Sequence, residues 1–172
     1  MVRTRNAILP DVEYIHAITE RFYPDGTLLR RQLPELSENI RDFVVAEHDG
    51  EIIGCGALHL YGLHLAEIRS IAVHPHAQGL GAGRLLTEAL LKEAERHHVT
   101  CICLFTRIPE FFSRVGFSIA SREDLPDKIY KDCIHCPRFH ACDETAMVHG
   151  QPPPKLEKRY PQFAIPLVKL GA

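Results

Sequence analysis

The sequence predicts an α/β fold: a mixed central β-sheet flanked by helices, in one domain over residues 1–150, followed by a Pro-rich C-terminal extension over residues 151–172. Two observations carry this expectation. Residues 65–106 read as strand, glycine-rich turn, helix, strand, a βαβ unit that requires two parallel strands. Just upstream, "FVVAEHDGEIIGCGALHLYG" reads as two β-rich runs joined at Asp49-Gly50, a hairpin signal that adds antiparallel pairing to the same sheet.

Each element follows from local pattern. In "ILPDVEYIHAITERF", Val12, Ile15, Ile18 and Phe22 fall near helical spacing, with Asp11 behind Pro10 as the expected N-cap. The loop "YPDGTLLRRQLP" leads to a second short helix through "ELSENI". After the hairpin, "LAEIRSIAVHP" is a third strand, and the helix behind the glycines carries Leu85, Leu86, Ala89, Leu90 and Ala94 as one apolar stripe. "TCICLFT" is the next strand, and "PEFFSRVGF" reads as a short helix stopped at Gly116. The tail, "HGQPPPKLEKRYPQFAIPLVKLGA", opens on three prolines and reads as a linker followed by an extended docking segment.

Composition narrows the function. The 172 residues are 45% hydrophobic and 24% charged, ordinary for a globular domain with a real core. A net charge of −2, with no basic cluster, argues against a nucleic-acid partner or a polybasic membrane anchor. No apolar run approaches the roughly 20 residues of a membrane span, and the N-terminus lacks a signal-peptide core. A cytoplasmic protein with reduced thiols is therefore expected, and Cys55, Cys101 and Cys103 read as small buried hydrophobes.

The most informative stretch is "VHPHAQGLGAGRLL", with glycines at 79, 81 and 83 where the helix begins. A helix N-terminus presents unpaired amides and the positive end of the helix dipole, which suits an anion, commonly phosphate. A P-loop would need Lys-Ser/Thr after its last glycine, whereas Arg84-Leu85 follow Gly83. A dinucleotide fold would need G-x-G-x-x-G and an acid ending the next strand, where this chain has Leu104-Phe105-Thr106. A tight structural turn is the remaining non-functional alternative.

Gln78-x-x-Gly81-x-Gly83, directly after a strand ending Val73-His74-Pro75, resembles the Q/R-x-x-G-x-G/A signature of the GNAT superfamily of acyl-CoA N-acyltransferases. The hairpin, the "AEIRSIAVHP" strand and "FFSRVGF" fall in that family's order. The resemblance implies the GNAT fold and acetyl-CoA as co-substrate. Loop amides would cradle the pyrophosphate, and the splayed strand would bind the pantetheine arm. It assigns to the coenzyme Ile71, Ala72 and Val73 on the strand, Gln78, Gly79, Leu80, Gly81, Ala82, Gly83 and Arg84 around the loop, and Phe112 in the aromatic helix.

Three further stretches are similar to the N-acetylglutamate synthase family, including the short single-domain amino-acid N-acetyltransferases of bacterial arginine biosynthesis. They are "GTLLRRQLPELSENIRDFVVAEHDGEIIGCGAL", "LFTRIPEFFSRVGF" and, most diagnostic, "REDLPDKIYKDCIHCPRFHACDETAMV". The resemblance implies transfer of acetyl from acetyl-CoA to the α-amino group of L-glutamate. Glutamine or another small amine as acceptor, and a non-catalytic acetyl-CoA sensor, are the alternatives. Two carboxylates call for cationic forks, and Arg30 or Arg31 together with Arg69 are favoured, with Arg107 near the same place. Homodimerisation is an expectation by family analogy, and arginine feedback through an amino-acid-kinase domain is not expected in this chain.

For the chemistry, Glu67 stands where many relatives carry a glutamate acting through water, and the oxyanion donor would be an amide near Ala72 or Val73. Many members place a tyrosine acid in the aromatic helix. Here Phe111-Phe112-Ser113 leaves thiolate protonation to Ser113 or solvent. "DCIHCPRFHACDE" clusters Cys133, Cys136 and Cys142, chemically enough for zinc or an iron–sulfur site, although a single C-x-x-C favours a redox pair or reduced cysteines packing a loop over the substrate. In longer relatives, substrate-touching arginine and serine lie where this chain has Cys142-Asp143-Glu144-Thr145, so Lys128 or Lys131 would have to compensate.

Overall fold

The computed structural model describes residues 1–152; the docking segment expected in the tail lies outside the described residues. Seven strands form one sheet in the order β1-β2-β3-β4-β5-β7-β6. They are β1 (Arg3–Asn6), β2 (Phe43–His48), β3 (Glu51–Gly62), β4 (Leu65–Val73), β5 (Cys101–Thr106), β6 (Ser118–Ile119) and β7 (Thr145–Gly150). Every pairing is antiparallel except β4 with β5, so the expected mixed sheet and its βαβ unit are both present. The β2–β3 turn has positive φ at both Asp49 (51°) and Gly50 (87°), the conformation that matches strand twist in a two-residue hairpin. Strands β6 and β7 lie beyond the elements that pattern alone predicts.

Helices cover both faces, which is why the first four residues of β2, Phe43 to Ala46, are all apolar and buried rather than alternating. On one face α1 (Val12–Glu20) and α2 (Leu33–Glu38) bring Ile15, Ile18 and Leu36 against Phe43, Val45 and Cys55. On the other, α3 (Ala82–Arg96) and α4 (Pro109–Ser113) bring Leu86, Leu90, Ala94 and Phe112 against Val44, Ala46, Leu58 and Ile68. A third cluster joins Cys101 and Cys103 to Leu125, just ahead of α5 (Pro126–Lys131), and to Ala146 and Val148 of β7. The three apolar-run cysteines are buried, as expected.

Asp11 corrects one expectation. Its side chain does not cap α1; the carboxylate turns back to accept the Ile8 amide at 2.8 Å and the Arg5 guanidinium at 2.7 and 3.0 Å. The Arg5 contact, reinforced by the amide, holds this carboxyl below its ordinary range against the opposing effect of burial. No described helix is long and apolar enough to cross a membrane.

Candidate active site

The parallel contact between β4 and β5 is short. Only Ala66 with Ile102 and Glu67 with Cys103 pair, and beyond them the strands part. The gap opens into a cavity of about 760 Å³, within the usual range of small-molecule sites. One end is lined by Ile71, Ala72 and Val73 of β4 and by Gln78, Gly79 and the start of α3; the other by β5, α5 and the cysteine segment.

The β4 side is built by backbone. Register with β3 shifts between Cys55 and Ala57, and within that bulge Ser70 takes φ 51°. Gly79 and Gly81 have φ of 86° and 82°, and a Cβ on either would meet nothing within 4 Å, so these two glycines are required by conformation rather than space. Gly83 is different. A Cβ there would lie 3.3 Å from the Phe111 ring, so this glycine admits α4 close to α3. Gly81 is the N-cap and makes no side-chain cap, leaving the amides of Ala82, Gly83 and Arg84 without intrahelical acceptors and lining the cavity. That donor set, at the positive end of a 15-residue helix, fits a phosphate-bearing ligand.

The opposite end is built by charged side chains. Glu67, 2% exposed, is held on both oxygens: Tyr61 Oη donates to Oε2 at 2.8 Å and Lys128 Nζ lies 2.6 Å from Oε1. Lys128 also donates to Asp132 Oδ2 at 3.1 Å, and the same oxygen lies 3.4 Å from Arg69 Nη1 and 3.8 Å from Arg31 Nη2. Burial lowers the Lys128 pKa, but Glu67 and Asp132 outweigh it and hold the ammonium charged. Burial raises the Asp132 carboxyl, and Lys128, Arg31 and Arg69 together bring it below its ordinary range. Glu144 moves the other way: burial pushes its carboxyl up against the pull of Lys128, Arg107 and Arg122.

Several expected roles do not survive this geometry. Arg30 points outward, pairing with Glu20 at 3.0 Å and lying over the Tyr23 ring, so Arg31 is the member of the pair that reaches the cavity. Lys131 is exposed and away from the lining, while Lys128, one helical turn earlier, faces in. Ser113 and Leu80 are exposed and outside the lining. Arg107 lines the cavity but gives its donors to Asp143 and to Asp25, Gly26 and Thr27, tying the loop after α1 to the end of β5. Glu67, expected as a water-assisted base, has both oxygens engaged.

The remaining coenzyme-assigned residues, Ile71, Ala72, Val73, Gln78, Gly79, Gly81, Ala82, Gly83, Arg84 and Phe112, all line the cavity. Tyr61, Arg122, Asp132 and Glu144 were given no role by the sequence, and none carries a local signal. Cys133, Cys136 and Cys142 line the cavity as free thiols, and among the described residues no three His, Cys, Asp or Glu are arranged to hold a metal. Burial pushes the Cys133 thiol up to about 11, so it is protonated at neutral pH.

Comparison with known proteins agrees with the fold. Residues 10–117 match the acetyltransferase (GNAT) family. An uncharacterized N-acetyltransferase of Chlorobaculum tepidum is 42% identical over 84% of this chain and 93% of its own length. An amino-acid acetyltransferase of Mycobacterium tuberculosis is 37% identical over 66% of this chain and 67% of its own. The N-acetylglutamate synthase of Neisseria gonorrhoeae, solved with coenzyme A and N-acetyl-glutamate, superposes with a TM-score of 0.77 at 29% identity; the match covers 87% of this chain and 35% of that one. The chain therefore belongs to the GNAT acetyltransferase family, and is an acyltransferase whose acyl donor is acetyl-CoA.

Proposed function

We propose that this acyltransferase moves the acetyl group of acetyl-CoA onto the α-amino group of L-glutamate, the reaction that commits glutamate to arginine biosynthesis. One observation carries the reading: the acceptor end of the cavity gathers Arg31, Arg69, Arg122 and Lys128 around the gap between β4 and β5. An amino acid with two carboxylates calls for forked donors of this kind, for which a polyamine has no acceptor. The relatives named amino-acid acetyltransferase and the synthase solved with N-acetyl-glutamate support the same substrate class.

The roles follow from the geometry. First-turn amides of α3 hold the pyrophosphate, and the unpaired edge of β4 runs beside the pantetheine arm. Arg31 and Arg69 receive the side-chain carboxylate through the N–H groups that Asp132 leaves unused, Asp132 itself holding the two guanidiniums in place. Glu67 anchors Lys128 rather than acting as the base. Glu144, which lines the same cavity and whose carboxyl burial raises above its ordinary value, takes the amine proton. As the amine nitrogen bonds to the acetyl carbon, charge on the carbonyl oxygen is met by amides near Ala72 and Val73. The C–S bond then breaks, and the thiolate is protonated by solvent.

Release of coenzyme A thiol from acetyl-CoA, measured against L-glutamate, L-glutamine, L-aspartate, spermidine and a peptide N-terminus, tests this. Saturable turnover confined to L-glutamate is expected. Equal or faster turnover of L-glutamine would replace the substrate, and silence across the panel with acetyl-CoA still bound would make the protein a sensor.

A further inference from the structure

The six cysteines fall into two groups. Cys55, Cys101 and Cys103 are fully buried among apolar side chains, out of reach of a dissolved oxidant. Cys133, Cys136 and Cys142 are partly exposed and line the cavity at its acceptor end. Cys133 and Cys136 bracket a single 3-10 turn, Cys133–His135, which the Cys136 amide closes by donating to the Cys133 carbonyl at 3.0 Å. A turn closed in this way keeps its first and fourth Cα atoms within about 7 Å. A disulfide spans roughly 4.4–6.8 Å between Cα atoms, so the turn already holds the two thiols at bonding range. Cys142 is engaged elsewhere: its Sγ accepts from Arg122 Nη2 at 3.1 Å and faces Glu144 Oε2 at 3.9 Å.

The turn is joined to the charged end of the site. Cys133 directly follows Asp132, on whose carboxylate Arg31, Arg69 and Lys128 meet. The Asp132 amide donates to the Lys128 main-chain oxygen at 3.1 Å, and its own carbonyl accepts the His135 amide at 3.1 Å. Asp132 is thus fixed by α5 on one side and by the thiol-bearing turn on the other. We propose that Cys133 and Cys136 form a reversible disulfide by exchange with a low-molecular-weight disulfide, and that the bond displaces Asp132 and so weakens the acceptor site. The bond imposes a Cβ separation of roughly 3.5–4.5 Å on the turn, and Asp132, at its N-terminal end, moves with it. Burial keeps Cys133 protonated at neutral pH, so Cys136 attacks first. The Cys136 sulfur gives its proton to solvent, bonds one sulfur of the reagent and expels the other half as a thiolate. Cys133 then loses its proton, bonds the Cys136 sulfur and expels the second half. Two protein thiols are oxidised, one reagent disulfide is reduced to two thiols, and the two protons end on those thiols. This rests on the placing of the acceptor at this end of the cavity, and not on which amine is accepted.

The test incubates the reduced full-length protein with oxidised glutathione, removes the excess, and maps disulfides by peptide mass spectrometry alongside turnover of the acceptor that the amine panel identifies. The peptide holding Cys133 and Cys136 is expected to lose two hydrogens, and free thiols counted in denaturant to fall from six to four. With it, kcat/KM for the acceptor is expected to fall about 10- to 100-fold while KM for acetyl-CoA holds, because the glycine loop lies at the other end of the cavity. Dithiothreitol restores both the thiols and the activity. Cys133→Ser and Cys136→Ser are each expected to lose the response, and Cys142→Ser to keep it. A thiol count that stays at six, a glutathione adduct that persists on the wild type, or a bond to Cys142 would overturn the proposal. So would a mapped Cys133–Cys136 bond that leaves kcat/KM unchanged or raises the KM of acetyl-CoA instead. The mapping needs no turnover, so failure of the proposed substrate is read separately from failure of the disulfide.

Discussion

The two ends of the cavity solve the same problem, holding negative charge, by opposite means. At the α3 end the donors are backbone amides positioned by two left-handed glycines, and the nearest cation, Arg84, is turned aside to Glu88 at 2.7 Å. At the α5 end the donors are long side chains, and their mutual repulsion is relieved by acids buried among them. A backbone site needs no counter-charge, because the partial charge at a helix N-terminus is part of the helix itself. A side-chain site must bring cations out of water, and Glu67 and Asp132 are what make Lys128 tolerable there.

That contrast can be broken from either end, and the largest effect is expected at Lys128. Replacing it by methionine leaves Glu67 and Asp132 buried without their shared ammonium, and a loss of about 3–5 kcal/mol is expected in urea unfolding. A change under about 1 kcal/mol would mean that Arg31 and Arg69 suffice to neutralise the pair. Glu144→Gln is expected to lower kcat about 100-fold with the fold intact, and to abolish a rise in rate that is expected of the wild type as Glu144 deprotonates with increasing pH. If Glu67→Gln removes that pH limb instead, the two acids exchange roles.

Smaller effects are expected where backbone does the work. Gly81→Ala forces a Cβ onto φ 82°, and about 1 kcal/mol of stability is expected to go, with a higher KM for acetyl-CoA and an unchanged KM for the acceptor. The smallest effect concerns acid. Asp132 has a folded pKa below its unfolded value, so its contribution is complete above the unfolded pKa and lost as pH falls through the folded one. The stability gap between wild type and Asp132→Asn is therefore expected to narrow as pH falls below about 4, and to go on narrowing through the lower folded pKa, in denaturant titrations. A gap that widens on acidification would show that the cations do not stabilise this carboxylate.

The difference between the ends also explains what the sequence revealed. Gly79, Gly81 and Gly83 are a local signal, and every residue that places the amides lies within one loop and one helical turn. Arg31, Arg69, Lys128 and Asp132 are spread over about a hundred positions, and nothing in spacing says that Lys128 turns inward while Lys131 faces water. Arg30 and Arg31 are adjacent and chemically identical. Only the turn into α2 decides that Arg30 meets Glu20 and Arg31 meets Asp132. Strand β7 escaped the pattern because its pairing partners, β5 and β6, are brought alongside by the chain's return rather than by a nearby turn.

The sequence by itself determined the mixed sheet, the hairpin at Asp49-Gly50, the glycine loop and the family, because hydrophobic period, turn residues and helix starts are set by neighbours along the chain. Tertiary structure decided which acids are free and which are tied. Glu67 became an anchor through Tyr61 and Lys128, Glu144 was pushed up by burial, and Arg122 was held by the Glu144 main-chain oxygen, the Cys142 thiol and the Phe105 ring. The physical reason is that charge and proton affinity depend on distance and dielectric, which are properties of the folded cavity and not of any stretch of residues.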